Sequence, residues 1–407
     1  MRQNTLKRSL LLCLLGTFTT NFSFSQAPFD HSFQAANGSD PLNARGKSIL
    51  VEDCDAIVTV NSIRNENGFY DFQINTIKSS TGSVHSSFTY GNPNGHDLCH
   101  GVCENVLNED SYILCGKSAN GNMLVMEVKN TGGIVWSKEI IFANKSSEAI
   151  SVLPMYPEAS GEIGYMIVGR TYIGPISEFN SAAYSEIAAV RLDANGNVKF
   201  ANEYPMSATY KSNVVTDAAI LDGGNAAPIG NKICSITGHH LTASGKSKVF
   251  VIEIETHGLG TPVSFFNHAI YEGTQSGFFH RMIPQIVSYP IPPNSTPYNY
   301  PLMIAFSTPG TSHFSQVNKH LTVFKANAGS PGISWAHSFT APYNAGLAVK
   351  DMIQLGNGDF SILGYEHPES GFYNPFTLNI DQNGGYLSQT SHNRTNRVKY
   401  PNSIVTS

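Results

Sequence analysis

The chain has 407 residues, of which only 14% are charged, and its 30 acidic residues outnumber its 25 basic ones. This dilute and slightly acidic surface excludes a nucleic-acid partner, which would require a concentrated basic face. The 36 glycines and the 11% of aromatic residues are typical of strands joined by tight turns.

The first 25 residues have the features of a signal peptide. Basic residues at positions 2, 7 and 8 precede the short apolar run Leu10–Leu15, and the segment ends in Asn-Phe-Ser-Phe-Ser. We therefore predict cleavage before Gln26, which leaves 22 basic residues against the 30 acidic ones. No later stretch has the roughly 20 apolar residues of a membrane helix. The predicted product is exported, without a transmembrane segment, to the extracellular space, the cell surface or the periplasmic side of the outer membrane.

A lead-in segment, 26–47, precedes an internal repeat that occupies residues 48–397. Each copy has a short apolar segment, an apolar strand ending near a glycine, a second apolar strand, an Asn/Asp-Gly turn and a final strand. The turn glycines of four copies align: Gly132, Gly196, Gly258 and Gly384. The predicted units are residues 48–91, 104–142, 148–205, 214–270, 282–340 and 348–391. In the second unit we expect the first strand at Asn105–Asn108.

The repeat predicts the fold. Nearly continuous apolar runs indicate strands that are covered on both faces, and a lone four-stranded sheet cannot bury both. Packing such sheets around an axis buries both faces and leaves only short edges. We therefore predict an all-β fold, a single β-propeller with six four-stranded blades. A seventh blade built from the two ends of the chain is the alternative count, and two β-sandwiches are the alternative architecture.

The last strand of several copies carries the string Gly-Ile/Val-x-Trp/Phe-Ser/Ala, as in Gly133–Ser137 and Gly332–Ala336. This string resembles the repeats of secreted bacterial β-propellers of the quinoprotein-like and kelch-like superfamily, of the Bacteroidota type. The resemblance implies a propeller and no particular chemistry. The tail 398–407 contains Tyr400-Pro-Asn402, which is similar to the opening of a type IX secretion sorting domain, but the body of that domain is missing. An ordinary terminal strand is the favoured interpretation of this tail.

Aromatic residues recur at one position of the last strand: Trp136, Phe200, Phe265 and Trp335. We predict that these side chains pack between neighbouring sheets, with a stacking platform for sugars as the alternative.

The densest cluster of reactive residues contains His96, Cys99, His100 and Cys103. In an oxidising compartment a Cys99–Cys103 disulfide is the first interpretation, followed by free thiols and then by a metal site. We predict neither a metal nor a cofactor.

No catalytic motif stands out. The chain lacks Gly-x-Ser-x-Gly, His-Glu-x-x-His and a phosphate-binding Gly-Lys-Ser/Thr loop. We therefore expect a non-enzymatic binding or scaffold protein of the cell envelope or extracellular space that recognises a protein partner or a glycan. The alternative is a polysaccharide-active hydrolase or lyase whose acid and base come from separate blades.

The predicted binding face is the one where the second strand of each unit ends, beside the segments that join the units. Polar or aromatic residues follow the second strand's glycine in four units: Lys117, Arg170, Tyr172, His239, His240, Tyr365 and His367. Several units can therefore contact one ligand in a concave site. Since none of these residues belongs to the apolar core of the repeat, we expect Arg170→Ala with His239→Ala to weaken binding without lowering the melting temperature. The competing location is the proline-rich segment Pro292–Tyr300 on the opposite face.

Overall fold

The computed structural model describes most of the repeat region. The predicted signal peptide, residues 26–43 of the lead-in and the tail 398–407 lie outside the described residues, as does the segment 289–300. The described residues are 44–52, 56–78, 81–155, 163–173, 184–205, 210–221, 233–242, 247–256, 260, 262–266, 285–288, 301–309, 318–327, 333–340, 346–355, 357–367 and 374–391.

Every regular element among these residues is a β-strand, and none of them forms a helix that is long and apolar enough to cross a bilayer. The first twelve strands are β1 (Ala44–Glu52), β2 (Ala56–Arg64), β3 (Tyr70–Lys78), β4 (Val84–Tyr90), β5 (Leu98–Glu104), β6 (Ser111–Lys117), β7 (Met123–Lys129), β8 (Ile134–Ile140), β9 (Ser146–Met155), β10 (Gly164–Tyr172), β11 (Ser185–Asp193) and β12 (Val198–Tyr204). The second twelve are β13 (Tyr210–Leu221), β14 (Ile233–Thr242), β15 (Ser247–Glu255), β16 (Pro262–Phe266), β17 (Gln285–Ser288), β18 (Pro301–Pro309), β19 (Asn318–Asn327), β20 (Ile333–Thr340), β21 (Gly346–Gln354), β22 (Phe360–His367), β23 (Asn374–Ile380) and β24 (Tyr386–Ser391).

The strands form five sheets. Four of these are antiparallel sheets of four consecutive strands, and the fifth has eight strands, β9 to β16. The two halves of the large sheet are joined through a single parallel pair, Ser185 with Ser212. The prediction of six separate four-stranded sheets was therefore wrong, because backbone pairing between two neighbouring units merges them.

The sheets are arranged radially, as in a β-propeller. The first strand of each successive group of four contacts the first strand of the next, from β1 through β5, β9, β13 and β17 to β21. The last strands lie on the outside, since most residues of β4, β8 and β24 are at least partly exposed. First strands that touch one another around a common axis, with fourth strands outermost, confirm the predicted all-β propeller fold.

The cores lie between sheets. The sheet β5–β8 is buried almost throughout in β6 and β7. One face of this sheet packs on the sheet before it, with Tyr112 and Leu114 against Val58 and Phe72. The opposite face packs on the sheet that follows, for instance through Cys115. Covering both faces explains why the apolar residues of these strands do not alternate with polar ones.

The recurrent aromatic residues lock each sheet to the next. The ring of Trp136 covers Gly196, where an added Cβ would lie 2.9 Å from the indole, and Phe200 covers Gly260 in the same way at 2.6 Å. Trp335 covers Gly384 at 2.5 Å. This confirms the predicted packing role for these three aromatics. In the fourth unit the glycine in contact is Gly260, two residues beyond the one aligned in the sequence.

The first strand of the second unit begins earlier than expected. It is β5, whereas Asn105–Asn108 forms a turn in which Asn105 Oδ1 accepts a hydrogen bond from the Leu107 amide at 2.8 Å. Asn108 Oδ1 accepts one from the Asp110 amide at 3.1 Å. Such asparagine turns compete with strand pairing, so the strand was wrongly placed in the sequence.

Candidate functional site

The predicted face is built by a repeated backbone feature. Near the end of the second strand, the pairing with the neighbouring first strand is interrupted by a β-bulge. The bulge lies at Cys99/Gly101 in β5 and at Val215/Asp217 in β13. In the third unit the register between β9 and β10 shifts after Val168. The bulge brings a first-strand carbonyl so close to the second strand that only glycine fits there. An added Cβ would lie 1.8 Å from the Leu98 oxygen at Gly116, 2.0 Å from the Glu148 oxygen at Gly169 and 2.1 Å from the Val214 oxygen at Gly238.

The residue after each of these glycines is one of the predicted site residues. Lys117 ends β6, Arg170 and Tyr172 end β10, and His239 lies near the end of β14. These positions share one end of the sheets and belong to the strands themselves. Tyr365 and His367 lie on β22 at the corresponding end. The side chains of His240, Tyr365 and His367 fall outside the described part of the chain.

The structure brings Lys117, Arg170 and Tyr172 together around Glu148, which the sequence analysis missed. Arg170 Nε donates to Glu148 Oε1 at 2.6 Å, and Arg170 Nη2 lies 2.5 Å from the same oxygen. His100 Nε2 lies 3.8 Å from Glu148 Oε2. We call these five residues, from β5, β6, β9 and β10, the arginine cluster.

The buried carboxylate is held ionised. Burial by itself raises the pKa of Glu148, but the charges of Arg170, His100 and Lys117 together with the hydrogen bond from Arg170 outweigh it. The pKa of Glu148 is therefore about 2 instead of 4.5. Since Arg170 neutralises Glu148, the charge of Lys117 remains in excess, and His100 adds another when it is protonated.

Tyr172 is the aromatic member of the cluster. It is buried, with 3% exposure, and both cations lie close to its ring: Lys117 Nζ is 5.5 Å and Arg170 Cζ 5.9 Å from the ring centroid. Burial, and then the negative charge of Glu148, raise the pKa of Tyr172, so the phenol is neutral. The aromatic ring attracts each of the two cations, which offsets part of their mutual repulsion.

The burial of Arg170 and His239 changes the expectation that Arg170→Ala with His239→Ala does not lower the melting temperature. The Arg170 side chain is only 13% exposed and paired with Glu148, and His239 is 3% exposed within β14. Removing Arg170 leaves a buried carboxylate without its main partner, which is strongly destabilising. The melting temperature of Arg170→Ala with His239→Ala is therefore expected to fall.

A second polar network, which we call the glutamate cluster, lies at the same end of the third unit. Lys145 Nζ donates to Glu186 Oε2 at 2.7 Å and to Glu203 Oε1 at 2.8 Å. Tyr184 donates its hydroxyl to Glu186, and Thr171 donates to Glu203. The two clusters use opposite faces of β10, because Arg170 and Tyr172 alternate with Thr171.

In the glutamate cluster, contact between the charged groups determines the direction of their pKa shifts. Burial alone would raise the pKa of Glu186 and lower that of Lys145, but their hydrogen-bonded contact reverses both shifts. The hydrogen bond to Glu186, together with burial, raises the pKa of Tyr184. The network thus holds two carboxylates against one ammonium.

The predicted Cys99–Cys103 disulfide is wrong. Residues four apart in an extended strand have Cα atoms about 13 Å apart, whereas a disulfide needs less than about 7 Å. The bulge in β5 also turns the two thiols to opposite faces of the sheet, with Cys99 in the core shared with the first unit and Cys103 in the core shared with the third. Among the described residues, no group of histidine, cysteine and carboxylate side chains could hold a metal ion.

The sequence gives only a weak indication of Glu148 and Glu186, the two carboxylates that the sequence analysis missed. Glu148 and Glu186 are buried near the starts of β9 and β11, where a charged residue requires a partner. The identity of that partner depends on pairing between strands, which is not visible in the sequence.

Comparison with known proteins yields neither a matching family model nor a matching curated protein. Solved structures with a similar fold include the Hadza microbial sialidase Hz136, with 8% identity over 80% of this chain and a TM-score of 0.42. They also include the NanB sialidase of Streptococcus pneumoniae, with 11% identity over 84% and a TM-score of 0.42. The Trypanosoma rangeli sialidase in complex with sialic acid shows 9% identity over 82% and a TM-score of 0.42.

The aligned part spans 64%, 68% and 54% of these three sialidases, respectively. At this level of similarity the likeness concerns the fold and says nothing of a substrate.

Proposed function

We propose that this chain is an exported binding protein for acidic glycans and that the arginine cluster receives the acidic group. The observation that carries the proposal is the convergence of Lys117, Arg170 and Tyr172 from two neighbouring units on one carboxylate, Glu148. The cluster has more positive than negative charge, and it lies at the end of the innermost strands, where ligands of propellers can contact several units.

The chemistry favours binding over catalysis at this cluster. Glycoside hydrolysis by two carboxyl groups requires one that is protonated near neutral pH. Glu148 and Glu186 both have a pKa below the usual range, so neither supplies that proton. A preformed ion pair packed against the buried Tyr172 ring is instead rigid, which lowers the entropic cost of binding.

The test is calorimetric titration with hexagalacturonate, an acidic oligosaccharide, and cellohexaose, a neutral one. We expect wild-type protein to bind the acidic ligand and Lys117→Gln to weaken that binding about tenfold, the loss of one charge-assisted contact. Lys199→Gln is the matched control, because Lys199 is 57% exposed and pairs with Asp193 beside the turn at the other end of the sheet. Equal affinity of the wild type for both ligands, or equal loss in both variants, refutes the proposal.

The second candidate function is glycan cleavage at the glutamate cluster. The observation that favours it is the approach of two carboxylates, Glu186 and Glu203, to the same ammonium of Lys145. Release of reducing ends from any glycan, abolished by Glu203→Gln, would establish cleavage over simple binding.

We also propose that the eight-stranded sheet represents two blades, which gives a ring of six. Its halves each repeat the four-stranded antiparallel order and share only the pair Ser185–Ser212. The same proposal includes three points that the sequence suggested. Residues 1–25 are removed on export, the protein is located outside the cytoplasm, and its repeats are related to quinoprotein-like and kelch-like repeats.

A further inference from the structure

Tyr184 is held in an unusual way for an exposed aromatic residue. Its side chain is 46% exposed, yet its hydroxyl donates to Glu186, whose side chain is only 9% exposed. Glu186 is in turn fixed by Lys145. An exposed tyrosine usually samples several rotamers, whereas this ring is anchored at its polar end and leaves its apolar face open.

The backbone around the ring is also fixed. The Tyr184 carbonyl accepts a hydrogen bond from the Ile173 amide at 3.1 Å, and the neighbouring Ser185 Oγ donates to the Asn213 carbonyl at 2.7 Å. Asn213 Nδ2 returns a hydrogen bond to the Ser185 carbonyl at 2.8 Å. Ile173, which is 54% exposed, adds an aliphatic side chain at the same hairpin.

The Glu203 carboxylate beside the ring can accept further hydrogen bonds. The Glu203 side chain is 29% exposed, and its Oε1 accepts from both Lys145 and Thr171. A carboxylate can accept about four hydrogen bonds, so Glu203 has room for ligand hydroxyls. Two carboxylates against one ammonium also give the site a net negative charge, which disfavours an acidic ligand group.

We propose that Tyr184, with Glu203 beside it, is a subsite for an uncharged sugar residue, which stacks its C–H face on the anchored ring and donates hydroxyls to Glu203. This inference rests on the proposed function, and it names the sugar next to the acidic one. The arginine cluster and the Tyr184 subsite lie on the two faces of the same end of β10, so one oligosaccharide crossing that strand end contacts both. The preferred ligand class is therefore a glycan in which acidic and neutral sugars are neighbours.

The test uses three ligands: glucuronic acid, xylotriose, and xylotriose carrying a glucuronic acid branch. Calorimetric titration of the wild type is expected to give the highest affinity for the branched ligand. Tyr184→Ala should lower that affinity about tenfold, the contribution of one aromatic contact, and leave the affinity for glucuronic acid unchanged. Tyr184→Phe keeps the ring but removes its anchor, and it should lose about threefold, since part of the preorganisation disappears.

Tyr386→Ala is the matched control, because Tyr386 is 60% exposed on the outermost strand β24, away from this face. Thermal unfolding of each variant shows whether it is folded. If Tyr184→Ala binds the branched ligand as the wild type does while Lys117→Gln does not, the subsite is refuted and the proposed function stands. If the wild type binds neither glucuronic acid nor the branched ligand, the proposed function itself fails.

Discussion

The buried ion pair between Arg170 and Glu148 makes a sharp prediction about stability. Replacing Arg170 with Ala leaves the Glu148 carboxylate, which is 7% exposed, without the charge that holds it ionised. Breaking a buried pair by removing one partner costs about 3–5 kcal/mol of unfolding free energy. The pKa gives a similar figure, because a decrease from 4.5 to about 2 corresponds to about 3 kcal/mol.

The assay is urea unfolding at pH 7, followed by tryptophan fluorescence. Arg170→Ala should lower the unfolding free energy by about 3–5 kcal/mol, whereas Arg170→Met combined with Glu148→Met should recover most of it, because no charge remains buried without a partner. Arg64→Ala is the control, since Arg64 is exposed and its Nε contacts only the Gly68 carbonyl, at 2.9 Å, among the bonds described; it should cost less than about 1 kcal/mol. A loss below about 1 kcal/mol for Arg170→Ala, or a double variant weaker than the single one, would refute the reasoning.

Three further predictions concern pH, packing and the cysteines. Because the folded pKa of Glu148 is about 2 against an ordinary 4.5, its stabilisation is complete above pH 4.5 and is lost as the pH falls toward 2; urea midpoints at pH 6 and pH 3 should show this loss in the wild type and not in Glu148→Gln. Gly196→Ala should cost about 1–3 kcal/mol, because Gly196 has φ of 77° and lies under Trp136. Gly133→Ala, whose Cβ would meet nothing nearer than 4.0 Å, should be nearly neutral, and equal melting temperatures of the two variants would contradict the packing role. Mass spectrometry after alkylation in denaturant without reductant should find Cys99 and Cys103 alkylated; a crosslinked Cys99–Cys103 peptide would contradict the extended strand geometry of β5.

Features that depend on neighbouring residues in the chain were accessible from the sequence. Gly132 and Gly196 were placed in tight turns because Asn-Gly and related pairs supply the positive φ that hairpins need, and both adopt it, with φ of 90° and 77°. Trp136 and Phe200 were assigned to packing between sheets because their spacing matched the repeat. The same periodicity placed the end of the second unit's second strand at Lys117, where β6 ends.

Features that depend on pairing between distant strands were not accessible. The Glu148 side chain meets Arg170 only because β9 pairs with β10 in one particular register, with Glu148 opposite Arg170. The approach of Glu203 to Glu186 requires Lys145, which lies in the segment between two sheets. The bulge in β5 moved Cys103 to the face away from Cys99, and no local pattern announces an inserted residue.

The sequence by itself therefore determined the architecture, an all-β propeller of repeated four-stranded groups, because hydrophobic periodicity and turn chemistry act over a few residues. Only the tertiary structure decided which charges meet on the predicted binding face and how many sheets form. Ion pairs and sheet borders depend on strand register, and a single pair such as Ser185 with Ser212 is enough to join two units into one sheet. The function proposed for this face depends on those long-range contacts, since the energy of a buried charge is set by the partner that the fold brings to it.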